Sequence, residues 1–486
     1  MTSPLRVAVV GAGLSGLVCG ALLAARGRDV TILEALDAPG GVARAAGGGG
    51  EASFSPGPQY VWGWEAGGPA WDALAELDVD VEMRAMPRCF ERVSFGDAPF
   101  RPVEDTSPAE LGALAAPQRA AAARVLDVLS QAGAVAPAVG RRATFRGGRR
   151  EMLASILGSE ATLSQKRWAL AIADLTVAEL ARRLGADART LRLVTHPQAI
   201  FAESLEDLSA LLYACARHHL CRGVFVPTGG FGALVDALVG ACASAGARVV
   251  TRAPVVGVEA VAAGTALTTT IGEGVFDHVV WACSPGAVAR VARRSTSRVF
   301  RGAGASLHEA FEPSHPILSL NAYVTLDARE VEVLRDRNFT WFADDSDVGF
   351  GATSDAPGRT INFGSPTLNG RVSTDEHVIC AFSNVGEPDL EGLLRHGLAR
   401  LGVHAAPRRI EVMTPEVWTR AFGGFEGSVY GRRLTPSSLQ RPLAGRLPTG
   451  WSLCHSGAGI SGVLGALQSG LACADALAPR ASRRAS

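Results

Sequence analysis

The strongest constraint on this chain lies in residues 6–27. A β-branched run, RVAVV (6–10), leads into Gly11, Gly13 and Gly16, the spacing G-x-G-x-x-G, and an Ala/Leu-rich run follows. The residue types suit a buried parallel strand, a tight turn and a helix. Gly11 permits the turn, Gly13 lets a pyrophosphate approach the backbone, and Gly16 lets the helix pack on the strand. Leu14 and Ser15 open the helix, whose free N–H groups and positive dipole end face a phosphate. A second strand, DVTIL, ends at Glu34 and Ala35. An acid about 20 residues beyond the glycines accepts hydrogen bonds from a ribose diol and disfavours a 2′-phosphate. The expectation is a dinucleotide site for FAD or NAD.

Bulk composition narrows the class. The chain has 486 residues, which suggests two or more domains. Hydrophobic residues make up 47% and charged residues 19%, enough apolar material for a large core. Formal net charge is zero, so nothing points to nucleic acid or an acidic membrane surface. Lys166 is the only lysine among 47 basic residues. Nine cysteines include no C-x-x-C pair, so neither a metal site nor a disulfide framework is indicated, and a reducing cytoplasm fits. The longest apolar run is broken by turn-spaced glycines and is not read as a membrane span.

The next segments favour FAD. Gly40-Gly41 follow Glu34, then come Val42 and Arg44, and FSPGPQYVWG covers 54–63. This resembles the flavin superfamily of amine oxidases, protoporphyrinogen oxidases and phytoene desaturases. The resemblance implies that a Gly-Gly turn and a nearby arginine contact the FAD pyrophosphate and ribityl chain. It also implies that Gly57, Pro58 and Gln59 pass near the flavin ring. The family often has arginine directly after Gly-Gly and an acid at the position of Ser55, and this chain departs at both.

Two later segments extend the likeness. VFVPTGGFGALVDALVGACASAGARVVTRAPVVGVEAV (224–261) reads as a strand, a glycine turn, a helix and a strand, and FDHVVWACSP (276–285) as another buried strand. The family likeness implies that Val255 lends its backbone to the adenine, and Ala282 is expected at the cofactor as well. GSVYGRRLTPSSLQRPLAGRLPTGWSLCHSGAGISGVLGALQSG (427–470) resembles the end of phytoene-desaturase-like enzymes. There the last helix points its N-terminus at the redox end of the flavin, where a positive dipole end stabilises negative charge. Ser456, Gly459, Ile460 and Ser461 are expected to hold the cofactor. Cys454-His455-Ser456 replaces the carboxylate that relatives often carry, and either His455 or Cys454 could face the flavin. A non-covalent FAD is expected over a thioether to Cys454, since a cysteine in an apolar strand is usually inert.

The resemblance implies an α/β fold: a Rossmann-type FAD-binding domain of the glutathione-reductase-like kind, with an α+β substrate domain formed by insertions. The FAD domain takes 1–65, 220–290 and 420–477, the substrate domain 66–219 and 291–419, and 478–486 is a flexible basic tail. Residues 108–130 and 160–190 have helical spacing, 131–150 read as a loop, and HPILSLNAYVTL, RTINFGS and HVICAFSN read as strands. The expected function is an FAD-dependent oxidoreductase that desaturates an apolar or biosynthetic small molecule by hydride transfer, with His455 and Tyr60 as candidate catalytic residues. A flavin-dependent isomerase, an amine or amino-acid oxidase and a non-catalytic flavin-binding subunit are the alternatives. A small-molecule substrate and no nucleic acid or membrane contact are expected. Electron acceptor and oligomeric state stay open.

Overall fold

A computed structural model describes residues 4–44, 55, 57–87, 90–102, 114–141, 148–195, 203–343, 360–364, 376–384, 387–423, 428, 430–441, 443, 447–456 and 461–479. Its first unit is the one foreseen. Strand β1 (Arg6–Val10) turns at Gly11 into helix α1 (Leu14–Ala25), and β2 (Asp29–Leu33) returns parallel to β1. Gly11 takes a positive φ of 108°, and a Cβ there would stand 2.7 Å from the Ala282 carbonyl oxygen. Only glycine meets both demands.

Three more strands complete this sheet from distant parts of the chain. Helix α2 (Gly230–Ser244) leads to β3 (Arg248–Val250), followed by β4 (His278–Trp281) and β5 (Trp451–Leu453). The order is β5-β4-β1-β2-β3, all parallel. Val10 lies opposite both Trp281 and Leu33, and Trp281 lies opposite Leu453. The C-terminal ends of the strands therefore line up along one edge, where ligands of such sheets sit.

Helix α1 is buried on every side from Leu14 to Ala24. It packs against α2 and against the last helix, α3 (Gly462–Leu477). Such all-round burial explains its unpatterned hydrophobicity. Each fully buried Leu or Val contributes about 1.5–3 kcal/mol relative to exposure.

Around this sheet lie two three-stranded sheets (255–261, 264–269, 272–276 and 61–62, 224–227, 83–85) and two larger bodies. A seven-stranded sheet runs in the order 407–413, 317–325, 376–384, 360–364, 338–342, 91–95, 101–102, so it draws strands from both 91–102 and 317–413. Its strands are antiparallel except where 338–342 meets 91–95. The expected strands at 317–325, 360–364 and 376–384 are all present. A helical layer spans 116–220 and shares one apolar core with α1, α2 and α3. Capping boxes at Thr162/Gln165 and Thr176/Glu179 start two of its helices.

Two local expectations differ from the structure. Residues 131–141, read as a loop, continue the helix Ala116–Gly133 and form a second one, Ala136–Arg141. Pro137 sits in the first turn of that helix, where its missing N–H costs nothing. Residues 142–147 lie outside the described residues. The run RVVTRAPVVGVEAV is not one strand but two, 248–250 and 255–261, in different sheets. Arg252 at φ 55° and the missing N–H of Pro254 break it.

Candidate functional site

A cavity of about 400 Å³ runs along the C-terminal edge of the parallel sheet. At one end lie the first glycine turn, Glu34–Leu36 and Ala253–Val255. In the middle lie Gly40–Ala43, Gly57 and Pro58. At the far end stand Ile317, Phe382, Trp418, Tyr430, His455 and the start of α3. A smaller cavity of about 100 Å³ abuts this far end, sharing Pro58, Phe382, Tyr430 and Gly462 with it.

The first turn is built for close approach. Glu34 is buried, and its carboxylate accepts hydrogen bonds from Ala12 N at 2.7 Å and Leu36 N at 2.9 Å. The Gly40 N–H donates to Ala12 O at 2.7 Å, so the two glycine loops are stitched together. A Cβ at Gly57 would stand 2.7 Å from the Val42 carbonyl oxygen, while one at Gly13 would meet nothing within 4 Å. No side chain caps α1 and no acid lies in its first turn. Its leading amides are thus available to an anion entering beside Gly13.

The second turn repeats this chemistry at the opposite end. Helix α3 has Ser461 at its N-cap, yet Ser461 Oγ donates to Tyr430 O at 2.7 Å instead of capping the helix. The N-terminus of α3 is therefore uncapped by side chains, and Gly462 and Val463 line both cavities. Two uncapped helix ends, one from each end of the chain, open on one cavity.

Of the residues expected at the site, Gly11, Gly13, Leu14, Ser15, Glu34, Ala35, Gly40, Gly41, Val42, Gly57, Pro58, Val255, Ala282, His455 and Ser456 line the larger cavity. Gln59, Tyr60 and Ser461 line the smaller one. Gly16 lines neither; a Cβ there would stand 2.0 Å from the Gly11 carbonyl oxygen, so it serves the packing of α1 on the turn. Arg44 also lines neither. Its guanidinium pairs with Asp37 at 2.9 Å and lies 5.4 Å over the Phe422 ring. Gly459 and Ile460 lie outside the described residues.

The pair Cys454-His455 separates cleanly. Cys454 is fully buried, with Sγ 3.5 Å from Ser15 O, and it clusters with Cys19 and Cys473 behind α1. His455 faces the cavity, and burial lowers its pKa to about 4. The imidazole is neutral at neutral pH. Tyr60 donates to the buried Glu91 carboxylate at 3.1 Å, so its ring rather than its hydroxyl faces the smaller cavity's space. Burial, then the Glu91 charge, push the Tyr60 pKa well up, and burial pushes Tyr430 to about 12. Both stay protonated.

Several wall residues carry no sequence signal of their own. Ile317 and Phe382 come from strands of the seven-stranded sheet, and Trp418 and Phe422 from the helix Pro415–Phe422. Arg290 enters from the helix Pro285–Ala292 after β4. Among the described residues no helix is long and apolar enough to cross a membrane.

Comparison with known proteins agrees with this geometry. The model of the flavin containing amine oxidoreductase family matches residues 14–478, and the chain belongs to that family. Wild-type putrescine oxidase bound to putrescine is similar in structure, with a TM-score of 0.66 at 16% identity, covering 98% of this chain and 99% of that one. Cyclohexylamine oxidase from Brevibacterium oxydans gives 0.63 at 16%, over 98% and 99%. An oxidoreductase from Methanosarcina mazei gives 0.59 at 15%, over 96% and 99%. At these identities the structural likeness speaks for the fold. No curated protein matches the sequence. The chain is an FAD-dependent oxidoreductase enzyme of Rossmann-type α/β architecture.

Proposed function

We propose that this enzyme dehydrogenates a compact, uncharged, apolar group held in the smaller cavity beside the flavin. The observation that carries the reading is the composition of that cavity. Pro58, Tyr60, Trp62, Phe382, Tyr430 and Leu464 wall it, Gln59, Asn362 and Ser461 are its polar lining, and no charged side chain lines it among the described residues. Its volume of about 100 Å³ is of the order of a cavity that holds benzene. A ring-sized group fits, and an ionised one would lose its hydration without a partner.

In this reading residues 1–65, 220–290 and 420–477 hold FAD and also line most of the substrate cavity, to which the insertions add Asn362 and Phe382. Glu34 would bind the adenosine ribose, the amides beside Gly13 the pyrophosphate, and the start of α3 the redox end. When bound, FAD supplies the two-electron acceptor for a substrate hydride. The aromatic walls orient the reacting carbon and exclude water. His455, neutral at the working pH, offers a ring nitrogen as a hydrogen-bond acceptor without adding charge to the site. The eight described free thiols suit a reducing, cytoplasmic setting. Family membership favours a second reading, oxidation at a carbon next to an amine nitrogen. The amine would then enter this uncharged cavity as the neutral base.

The test is a visible spectrum of the purified protein before and after acid precipitation, followed by anaerobic mixing with donors. Flavin released into the supernatant and bleached by ring-sized apolar donors is the expected result. Colour retained in the pellet would overturn the non-covalent assignment. Bleaching by cyclohexylamine or benzylamine, with a rate rising above neutral pH, would select the amine reading. Substrate turnover with no net oxidation would select an isomerase.

A further inference from the structure

The cavity wall that carries Tyr430 is tied down from a distance. Residues 430–435 form neither helix nor strand, yet three backbone bonds pin them. Ser314 N donates to Gly431 O at 2.7 Å, Arg433 N to Glu312 O at 2.9 Å, and Ser209 N to Leu434 O at 2.8 Å. Ser461 Oγ adds its bond to Tyr430 O and Ser438 Oγ one to Arg433 O, and a further tie is ionic. Arg433 donates from Nε and Nη2 to Glu203 Oε2 at 3.3 and 3.1 Å, and its Nη2 lies 2.9 Å from Asp207 Oδ2. Glu203 Oε1 accepts from Leu434 N at 3.3 Å.

Glu203 has no exposed side-chain surface. A carboxylate so buried is costly, and its pairing with an arginine gives little net stability over an apolar pair. What such a pair does supply is a defined geometry. Here the geometry reaches the cavity along the chain, since Arg433 is three residues beyond Tyr430. His315 Nε2 lies 3.7 Å from the same carboxylate, two residues before the wall residue Ile317. One buried acid thus borders the segments that supply two walls of the cavity.

We propose that Glu203 and Arg433 are positioning residues that hold the Tyr430 ring against the bound flavin. The proposal rests on the reading of the larger cavity as the FAD site. The test is a double-mutant cycle read in the FAD dissociation constant of the apoprotein, titrated with FAD itself. Failure of the wild-type protein to take up FAD would sink the cofactor site before this proposal is reached.

Removing an aromatic ring stacked on a nucleobase typically weakens binding by an amount equivalent to about tenfold or more, so Y430A should raise the constant about tenfold. E203Q should raise it by up to the same factor, R433M likewise, and R433K should recover most of the loss. In the Y430A background neither E203Q nor R433M should add to the effect. An unchanged constant in folded E203Q and R433M would overturn the proposal. So would an equal rise in the Y430A background, or no effect of Y430A. If E203Q does not fold, R433K and R433M close the same cycle.

Discussion

The substitution Gly470→Ala asks whether the last helix supports the first glycine turn. Helix α3 lies on α1, and a Cβ at Gly470 would stand 2.7 Å from the Ser15 carbonyl oxygen and 2.9 Å from Val18 Cβ. Both neighbours belong to a fully buried helix, so neither can swing aside. Alanine is the better helix former by about 1 kcal/mol. Inserting a methyl group into a packed interface costs about 1–3 kcal/mol. The near neighbours cannot yield, so the steric term falls in the upper part of that range and the net loss should be up to about 2 kcal/mol. Because Leu14 and Ser15 line the larger cavity, the displaced turn should also weaken FAD binding.

Two other glycines supply the sign test. Gly240 in α2 and Gly302 in the helix Arg298–Ala310 are exposed, and a Cβ at either would meet nothing within 4 Å. There the helix-propensity gain acts alone, and alanine should stabilise by about 0.5–1 kcal/mol. Urea unfolding of the three variants, followed by far-ultraviolet circular dichroism, should therefore give opposite shifts for one chemical change. FAD titration should show weakened binding for G470A only. If G470A raises the unfolding midpoint as G240A and G302A do, the close approach of α3 to the turn is refuted. An unaltered FAD affinity would refute the coupling between them.

Glu34→Gln replaces one of two accepting oxygens with a donor, leaving either Ala12 N or Leu36 N unsatisfied in a buried place. The FAD-free protein should lose about 1–3 kcal/mol in urea unfolding, and equal stability would show that the carboxylate does not organise the turn. His219 is buried, and burial, then the charge of His218, lower its pKa to about 4. The unfolded form takes its proton near 6.5, so stability is lost as pH falls from about 6.5 toward 4, by about 3 kcal/mol in all. The urea midpoint at pH 5 should therefore fall less from its pH 7.5 value in H219L than in the wild-type protein, and identical falls would reject the assignment.

What was legible in the sequence was local chemistry. The turn at Gly11–Gly16, the acid at Glu34 and the strands around them lie within 30 residues, where spacing alone carries the geometry. The walls are another matter. Trp418 and Phe382 reach the cavity from elements whose local patterns look like ordinary core, and only the tertiary fold brings them in. Arg44 shows the same limit in reverse. Its spacing suggests a cofactor contact, but Asp37 and the ring of Phe422, 378 positions away, hold it at the rim. Glu203 gave no signal because a buried acid and a solvated one look alike until Arg433 is placed beside it.

The pairing of the two glycine turns lies between these cases. Each is visible alone, as glycines feeding a small-residue helix, but nothing near either turn says that they share a ligand. Two registers bring both helix starts to one cavity: Val10 opposite Trp281, and Trp281 opposite Leu453. These place the end of β5 one strand beyond β4 on the edge where β1 ends. A chain leaving β5 at that edge enters α3 beside α1, and Gly470 lets the two helices come close enough for both N-termini to reach one cavity. On the function proposed above, the two helix starts would face the pyrophosphate and the redox end of one cofactor, and each meets electron-rich atoms best when free of side-chain caps.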